Sequence, residues 1–265
     1  MSVAGRHAVV TGGGRGIGLA IASRLAGEGA RVSIVSRTAQ CHPERRRVAP
    51  QSKGEQTTDF FCAKADVADE GQVRAAFAAC RDENGPIAIL VNNAGIAESA
   101  PLSRTGLEMW GRIIATNLTG TFLCTREVID AMVAAGWGRI VNVASTAGLD
   151  GAPYISAYCA SKHGVVGFTR AIAEELGSTG VTVNAVCPGY TETAIMQAAI
   201  ANIMAKSPRT EKETRELMAR GNPQGRIATP NEVAHEVFEL IDGSRTGIVS
   251  IVPSRAVPAQ VRPDH

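Results

Sequence analysis

Residues 8–19 read Ala8-Val9-Val10-Thr11-Gly12-Gly13-Gly14-Arg15-Gly16-Ile17-Gly18-Leu19. An apolar, β-branched run ends in a glycine-rich turn, and a helical pattern through Leu25 follows at once. Glycines there let the backbone turn sharply and approach a pyrophosphate, whose charge meets the exposed N–H groups of a helix start. A glycine-rich turn alone says little, because tight turns use glycine anyway. The strand before it and the helix after it make the dinucleotide reading.

Further along, short β-branched runs alternate with longer helical patterns, the signature of βαβ units and a parallel sheet. The candidate strands are His7–Val10, Arg31–Val35, Phe60–Lys64, Ile87–Asn92, Gly138–Val143, Val181–Val186 and Gly247–Val252. Runs such as Ile87-Ala88-Ile89-Leu90-Val91 suit central strands buried on both faces. The fold class expected is α/β: a single-domain, Rossmann-type, doubly wound parallel sheet of about seven strands with helices on both faces, over residues 1–265. Thr105 with Glu108, Thr210 with Glu213 and Thr229 with Glu232 fit capping boxes, the last reinforced by Pro230. Gly29, Gly136 and Gly221 are plausible helix stops. The stretch Thr38 to Thr58 breaks the rhythm, with Pro43, Pro50, Gly54 and three arginines, so a short or irregular helix and a mobile loop are expected there.

Composition narrows the class. Of 265 residues, 45% are hydrophobic and 20% charged, with a formal net charge of +2, which points to neither a nucleic-acid nor a membrane-surface protein. No apolar run reaches the ~18 residues of a membrane span. Cys41, Cys62, Cys80, Cys124, Cys159 and Cys187 form no CxxC pair of the kind zinc sites use, and no metal is expected. A cytoplasmic location is the default expectation.

Two sites carry chemistry. Tyr158 and Lys162 are four residues apart, which puts phenol and ammonium on one face of a helix. A nearby cation favours phenolate and draws the phenol toward the range that acid–base chemistry requires. Ser145, at the end of a candidate strand, could hold a carbonyl oxygen against that phenol. His163 points to another face and is set aside. At the end of the second strand an acidic residue would select NAD. Here Ser36-Arg37 stands instead, and Arg15 lies in the glycine turn. Two guanidiniums and a hydroxyl make a cage for a 2′-phosphate, favouring NADP(H) over NAD(H). The alternative is that Arg37 is a solvated loop residue.

With TGGGRGIG, Asn92-Asn93-Ala94-Gly95, Ser145, Tyr158, Lys162 and Pro188-Gly189 in this order, the chain resembles the short-chain dehydrogenase/reductase family from about residue 5 to 240. The resemblance implies that Tyr158 exchanges a proton with the substrate oxygen and Ser145 polarises that oxygen. It implies that Lys162 lowers the Tyr158 pKa and holds the nicotinamide ribose, and that Asn117 anchors a proton relay to the lysine. It also implies cofactor contacts from Gly12, Arg15, Ile17, Asp66, Val67, Asn93, Ala94 and Gly95 on the adenosine and pyrophosphate side, where Gly18 of the glycine turn and the Ser36-Arg37 pair are candidates from the residues themselves. Pro188, Gly189, Thr191 and Thr193 match the loop over the nicotinamide, with Tyr158 and Lys162 beside it. Structural readings stand next to three of these: Asn93 tying strands, Asn117 stabilising a helix kink, Thr193 as an N-cap.

Residues 194–221 match the family's substrate lid and read as two helices, Ile195–Ala205 and Glu211–Arg220. Ile195, Met196, Ile200, Ile203 and Met204 could face an acyl chain, though core packing suits most of them. Lys206, Arg209, Lys212, Arg215 and Arg220 outnumber the lid's acids, which suits an anionic carrier such as coenzyme A or acyl carrier protein; a solvated face is the plainer reading. The stretch from Gly138 to Gly189 looks most like 3-oxoacyl-thioester and polyketide ketoreductases. The function expected is NAD(P)(H)-dependent reduction of a 3-oxoacyl thioester. The alternatives are an NAD-linked dehydrogenase of a hydroxyacyl-CoA or cyclic alcohol, and a non-catalytic cofactor-binding regulator. The family implies a homodimer or homotetramer. The atypical tail 253–265, which lacks the family's closing glycines, weakens that expectation.

Overall fold

A computed structural model describes residues 3–38 and 60–252. The apolar runs become strands β1 (His7–Thr11), β2 (Arg31–Ser36), β3 (Phe61–Lys64), β4 (Ile87–Asn92), β5 (Gly138–Val143), β6 (Val181–Pro188) and β7 (Val249–Val252). All seven pair in parallel, in the order β3-β2-β1-β4-β5-β6-β7. The order reverses between β1 and β4, so a crevice opens at their carboxyl ends.

Helices α1 (Gly16–Gly27) and α8 (Pro230–Asp242) cover one face, and α2 (Glu70–Asn84), α4 (Gly120–Ala134) and α5 (Ser156–Glu175) belong to the other. The strands sort their side chains with period two. Ile89 and Val91 join Ile21, Leu25, Val237 and Ile241, while Leu90 joins Phe77, Leu123 and Met132 on the opposite face. Fully buried Ile21, Leu25 and Phe77 each contribute about 1.5–3 kcal/mol relative to exposure. Two-sided burial is why Ile87 to Val91 of β4 reads as a continuous apolar run.

Both helices expected within residues 194–221 form, α6 at Ala194–Lys206 and α7 at Glu211–Arg220. Met196, Ile200 and Met218 make their own small core, with Ile203 packed against it, whereas Ile195 and Met204 remain exposed. The boxes at Thr210–Glu213 and Thr229–Glu232 close in both directions. The Thr105 box does not. Its hydroxyl donates back to the Pro101 carbonyl at 3.2 Å, Gly106 takes the N-cap, and α3 runs from Leu107 to Ile114. A five-residue π-turn, Ala115–Thr119, joins α3 to α4. Gly29 and Gly136 follow their helices at positive φ, whereas Gly221 stays right-handed at φ −73°. The irregular stretch expected from Thr38 to Thr58 lies, beyond Thr38, outside the described residues, as does the tail 253–265. No described helix is long and apolar enough to cross a membrane.

Candidate active site

The carboxyl ends of the central strands gather the candidate residues. After β1, Gly12 and Gly16 adopt positive φ of 65° and 54°. A Cβ on Gly18 would stand 2.4 Å from Asn93 Nδ2 and 2.5 Å from the Gly12 carbonyl. Only glycine lets α1 start this close to the turn, so the exposed N–H groups at its head form a cradle that fits a dinucleotide pyrophosphate. Arg15 occupies the N-cap with extended backbone and an exposed side chain. Ile17 packs its side chain on the core beneath.

Thr11 organises the facing turn. Its Oγ1 accepts the N–H groups of Asn93 and Ala94, each at 3.0 Å. The Asn93 amide then donates to the Thr11 and Gly12 carbonyls at 2.9 and 3.2 Å. Asn93 therefore ties β4 to the glycine turn, as its structural reading held. Thr11 was missed by the sequence reading, because a threonine at a strand end carries no motif of its own.

At the end of β2 stands Ser36, whose hydroxyl donates to the Thr38 carbonyl at 2.6 Å. Arg37 follows, exposed. Beyond β3, the Asp66 carboxylate accepts the Ala68 N–H at 3.0 Å, and Val67 is buried.

Ser145 leaves β5 and accepts the Ala147 N–H at 3.1 Å. Its hydroxyl lies close enough to Tyr158 on α5 to act on the phenol. Lys162, one turn on, is buried, donates to the Val143 carbonyl at 2.7 Å and lies 5.8 Å from the centre of the Tyr158 ring. Serine, phenol and ammonium therefore converge. Burial, the larger influence, brings Lys162 down to about 8. Tyr158 keeps part of its surface exposed, yet burial of its phenol pushes its pKa above the ordinary value, with the Ser145 hydroxyl opposing. This differs from the sequence expectation, in which Lys162 lowers the phenol. The reason is that desolvation by the surrounding protein is the largest influence on the phenol.

Asn117 sits in the π-turn, buried. Its Oδ1 accepts the Ile96 N–H at 2.9 Å, and its Nδ2 donates to the Ile96 carbonyl at 2.9 Å and to Ser161 Oγ at 3.0 Å. Ser161 in turn donates to the Tyr158 carbonyl at 2.7 Å. A Cβ on Gly95 would lie 3.3 Å from Asn117 Oδ1 and 3.7 Å from Lys162 Nζ, which places Gly95, Asn117 and Lys162 together. Asn117 itself reaches the tyrosine's helix through Ser161. His163 accounts for itself elsewhere, pairing Nδ1 with the Cys159 carbonyl at 2.9 Å.

After Pro188 and Gly189, Thr191 donates to the Gly189 carbonyl at 3.1 Å. Thr193 caps α6 by accepting the Met196 N–H at 3.3 Å. A Cβ on Gly16 would be 3.5 Å from the Thr193 methyl, so this loop touches the glycine turn.

Residues 6–203 match the family model for short chain dehydrogenases. The chain belongs to the short-chain dehydrogenase family. It is 42% identical over 236 residues to a protein of Streptomyces violaceoruber assigned as a ketoacyl reductase of the granaticin polyketide synthase, covering 88% of this chain and 85% of that one. It is 38% identical over 229 residues to an acetoacetyl-CoA reductase of Cupriavidus necator, covering 86% and 87%. A variant of actinorhodin polyketide ketoreductase solved with NADPH superposes with a TM-score of 0.84 at 38% identity, covering 93% of this chain and 95% of that one. As a member of this family the chain is an oxidoreductase that interconverts carbonyl and alcohol groups with a nicotinamide dinucleotide, NAD(P)(H).

Proposed function

We propose that the protein reduces a 3-oxoacyl thioester to the 3-hydroxy compound, with NADP(H) favoured over NAD(H). The observation that carries the reading is the convergence of Ser145, Tyr158 and Lys162 beside the glycine cradle. When bound, the reduced nicotinamide supplies the hydride. The protein supplies the rest. Tyr158 Oη donates the proton that the substrate oxygen gains, and its raised pKa keeps the phenol protonated for that donation. Ser145 Oγ donates a hydrogen bond to the same oxygen and steadies its developing charge. Lys162 places a cation next to the tyrosine as the phenol loses its proton, and would hold the nicotinamide ribose. Asn117 ties the turn at Ile96 to the tyrosine's helix, and in this reading anchors the relay that reprotonates the phenol through Lys162.

The NADP(H) preference rests on residue type. Arg15 and Arg37 head the two segments that flank the adenosine side, both exposed, and no carboxylate closes β2. The relatives add weight to the thioester, one being an acetoacetyl-CoA reductase and two being ketoreductases of polyketide synthesis. The lid's basic character is smaller than its composition suggests. Arg215 pairs with Glu192 at 2.8 Å and Glu211 at 2.9 Å, leaving Lys206, Arg209 and Lys212 exposed. We read residues 1–265 as one catalytic domain, with the lid at 194–221.

The test is oxidation of NADPH, and of NADH in parallel, by purified protein given an acetoacetyl thioester, with Tyr158→Phe alongside. We expect turnover with NADPH and a loss of at least 100-fold in the variant, in keeping with the weight of general acid catalysis (about 10²–10⁴-fold). Turnover with NADH alone would remove the arginine argument and favour a hydroxyacyl dehydrogenase. Equal turnover by Tyr158→Phe would end the catalytic assignment.

A further inference from the structure

The loop after β6 is held from behind by a residue that no motif marks. Asn222 lies two positions beyond the end of α7 and is buried, 4% exposed. Its Oδ1 accepts the Tyr190 N–H at 2.7 Å, and its Nδ2 donates to the Tyr190 carbonyl at 2.8 Å and the Arg226 carbonyl at 2.7 Å. One side-chain amide thus pairs with both polar groups of the Tyr190 backbone, as an adjacent strand would. A short parallel bridge continues the pairing. Ala228 N–H donates to the Tyr190 carbonyl and Glu192 N–H to the Ala228 carbonyl, each at 2.9 Å.

Gly189 is shaped to this amide. A Cβ there would stand 2.2 Å from Asn222 Oδ1, 2.9 Å from its Cγ and 3.5 Å from its Nδ2, its three nearest neighbours. The glycine's φ is not in the left-handed region, so its own backbone would accept alanine. The requirement for glycine at 189 comes from Asn222.

Resting on the reading of residues 188–193 as the loop over the nicotinamide, we propose that Asn222 is a positioning residue. It fixes the height of that loop against the cofactor's reactive end and fastens the close of the lid to it. The lid leaves the loop at Thr193 and returns at Asn222, so a single amide sets both the nicotinamide wall and the lid's return. An error of a fraction of an ångström there would misplace the hydride donor relative to Ser145 and Tyr158 while leaving the adenosine half of the crevice intact.

The experiment is a double-mutant cycle with Asn222→Ala, Gly189→Ala and the pair. Four quantities are read: kcat/KM, the Kd of NADPH, the Kd of ADP-ribose, which lacks nicotinamide, and the thermal midpoint. Each single change should lower kcat/KM on the order of tenfold with ADP-ribose binding unchanged. In the pair, Gly189→Ala should cost less than about twofold beyond Asn222→Ala, because the amide it strikes is gone. Losses that multiply to about a hundredfold, or ADP-ribose weakening in step with NADPH, would overturn the proposal. Asn222→Asp, nearly isosteric, sets an oxygen against two carbonyls and should show the same split. It serves if Asn222→Ala does not fold. Thermal midpoints need no ligand: Gly189→Ala should lower the midpoint less in the Asn222→Ala background than alone, and equal drops would overturn the clamp. A wild-type protein that binds no dinucleotide would defeat the functional reading, while that thermal cycle would still decide the clamp.

Discussion

Lys162 carries an ammonium at 5% exposure with one hydrogen bond, to the Val143 carbonyl. A shift from 10.5 to about 8 corresponds to about 3 kcal/mol of destabilisation of the charged form on folding. The sign follows from the depressed pKa. Below about pH 8 the folded state holds the cation at full cost. That cost fades between about 8 and 10.5, where the folded amine is already neutral and the unfolded one still binds its proton. Lys162→Met should therefore be inactive yet more heat-stable than wild type at pH 7, by roughly 1–2 kcal/mol once the orphaned Val143 carbonyl is counted. The advantage should shrink by pH 9.5. Calorimetry at the two pH values checks it, and a midpoint below wild type at both would show that the lysine stabilises the fold. This is strain kept for function, since no packing argument favours an ammonium in that place.

At the scale of the element, α1 is pressed against the glycine turn until nothing larger than hydrogen fits at Gly18. Gly18→Ala is expected to lower stability by about 1–3 kcal/mol and to weaken dinucleotide binding, because the helix start must back away from the Gly12 carbonyl and Asn93. Chemical denaturation and a fluorescence titration with NADPH read the two effects. Unchanged affinity would mean that the turn, and not the helix head, forms the cradle. The strands and this turn were legible in the sequence because they are local: period-two burial and glycine spacing are written in adjacent residues. Thr105 shows where local reading ends. Its spacing to Glu108 matches a capping box, yet its hydroxyl found the Pro101 carbonyl of the preceding turn, and Gly106 began the helix instead. Asn222 was illegible for a different reason. The Tyr190 backbone it holds lies 32 residues upstream, and an asparagine after a helix reads only as a stop. Ser145, Tyr158 and Lys162 were legible as a set, but which influence governs the phenol was not, because desolvation depends on packing that no motif records.

Across the described residues, the amino ends of the strands carry buried polar groups of their own, away from the crevice, and these serve the fold. Arg139, near the start of β5, is buried and donates to the carbonyls of Ile241, Gly138 and Gly180. Its guanidinium and that of Arg6 both lie over the Trp137 ring, at 4.5 and 3.5 Å from its centre. His7 opens β1 in the same region. Asn84 Nδ2 donates to Ser33 Oγ at 3.0 Å, Ser33 lies 2.8 Å from His7 Nε2, and His7 Nδ1 lies 2.7 Å from the Gly85 carbonyl. The carbonyl can only accept, so Nδ1 carries the proton, and Nε2 accepts from the serine. Burial, the larger influence, lowers the His7 pKa below 6.5, with the Gly85 hydrogen bond opposing. A base with a depressed folded pKa contributes its stability in full above 6.5 and loses it as pH falls toward the folded value, because the unfolded chain takes the proton first. Unfolding free energy should therefore decline between pH 7 and 5, and His7→Gln, which has no proton to gain, should decline less steeply over the same range. Because His7 lies far along β1 from the crevice, kcat/KM at pH 7.5 should match wild type. Urea midpoints at pH 7.5 and 5.5 decide it: parallel declines in the two proteins would move the acid sensitivity to another group, and a fall in kcat/KM would mean that the two ends of the sheet are coupled.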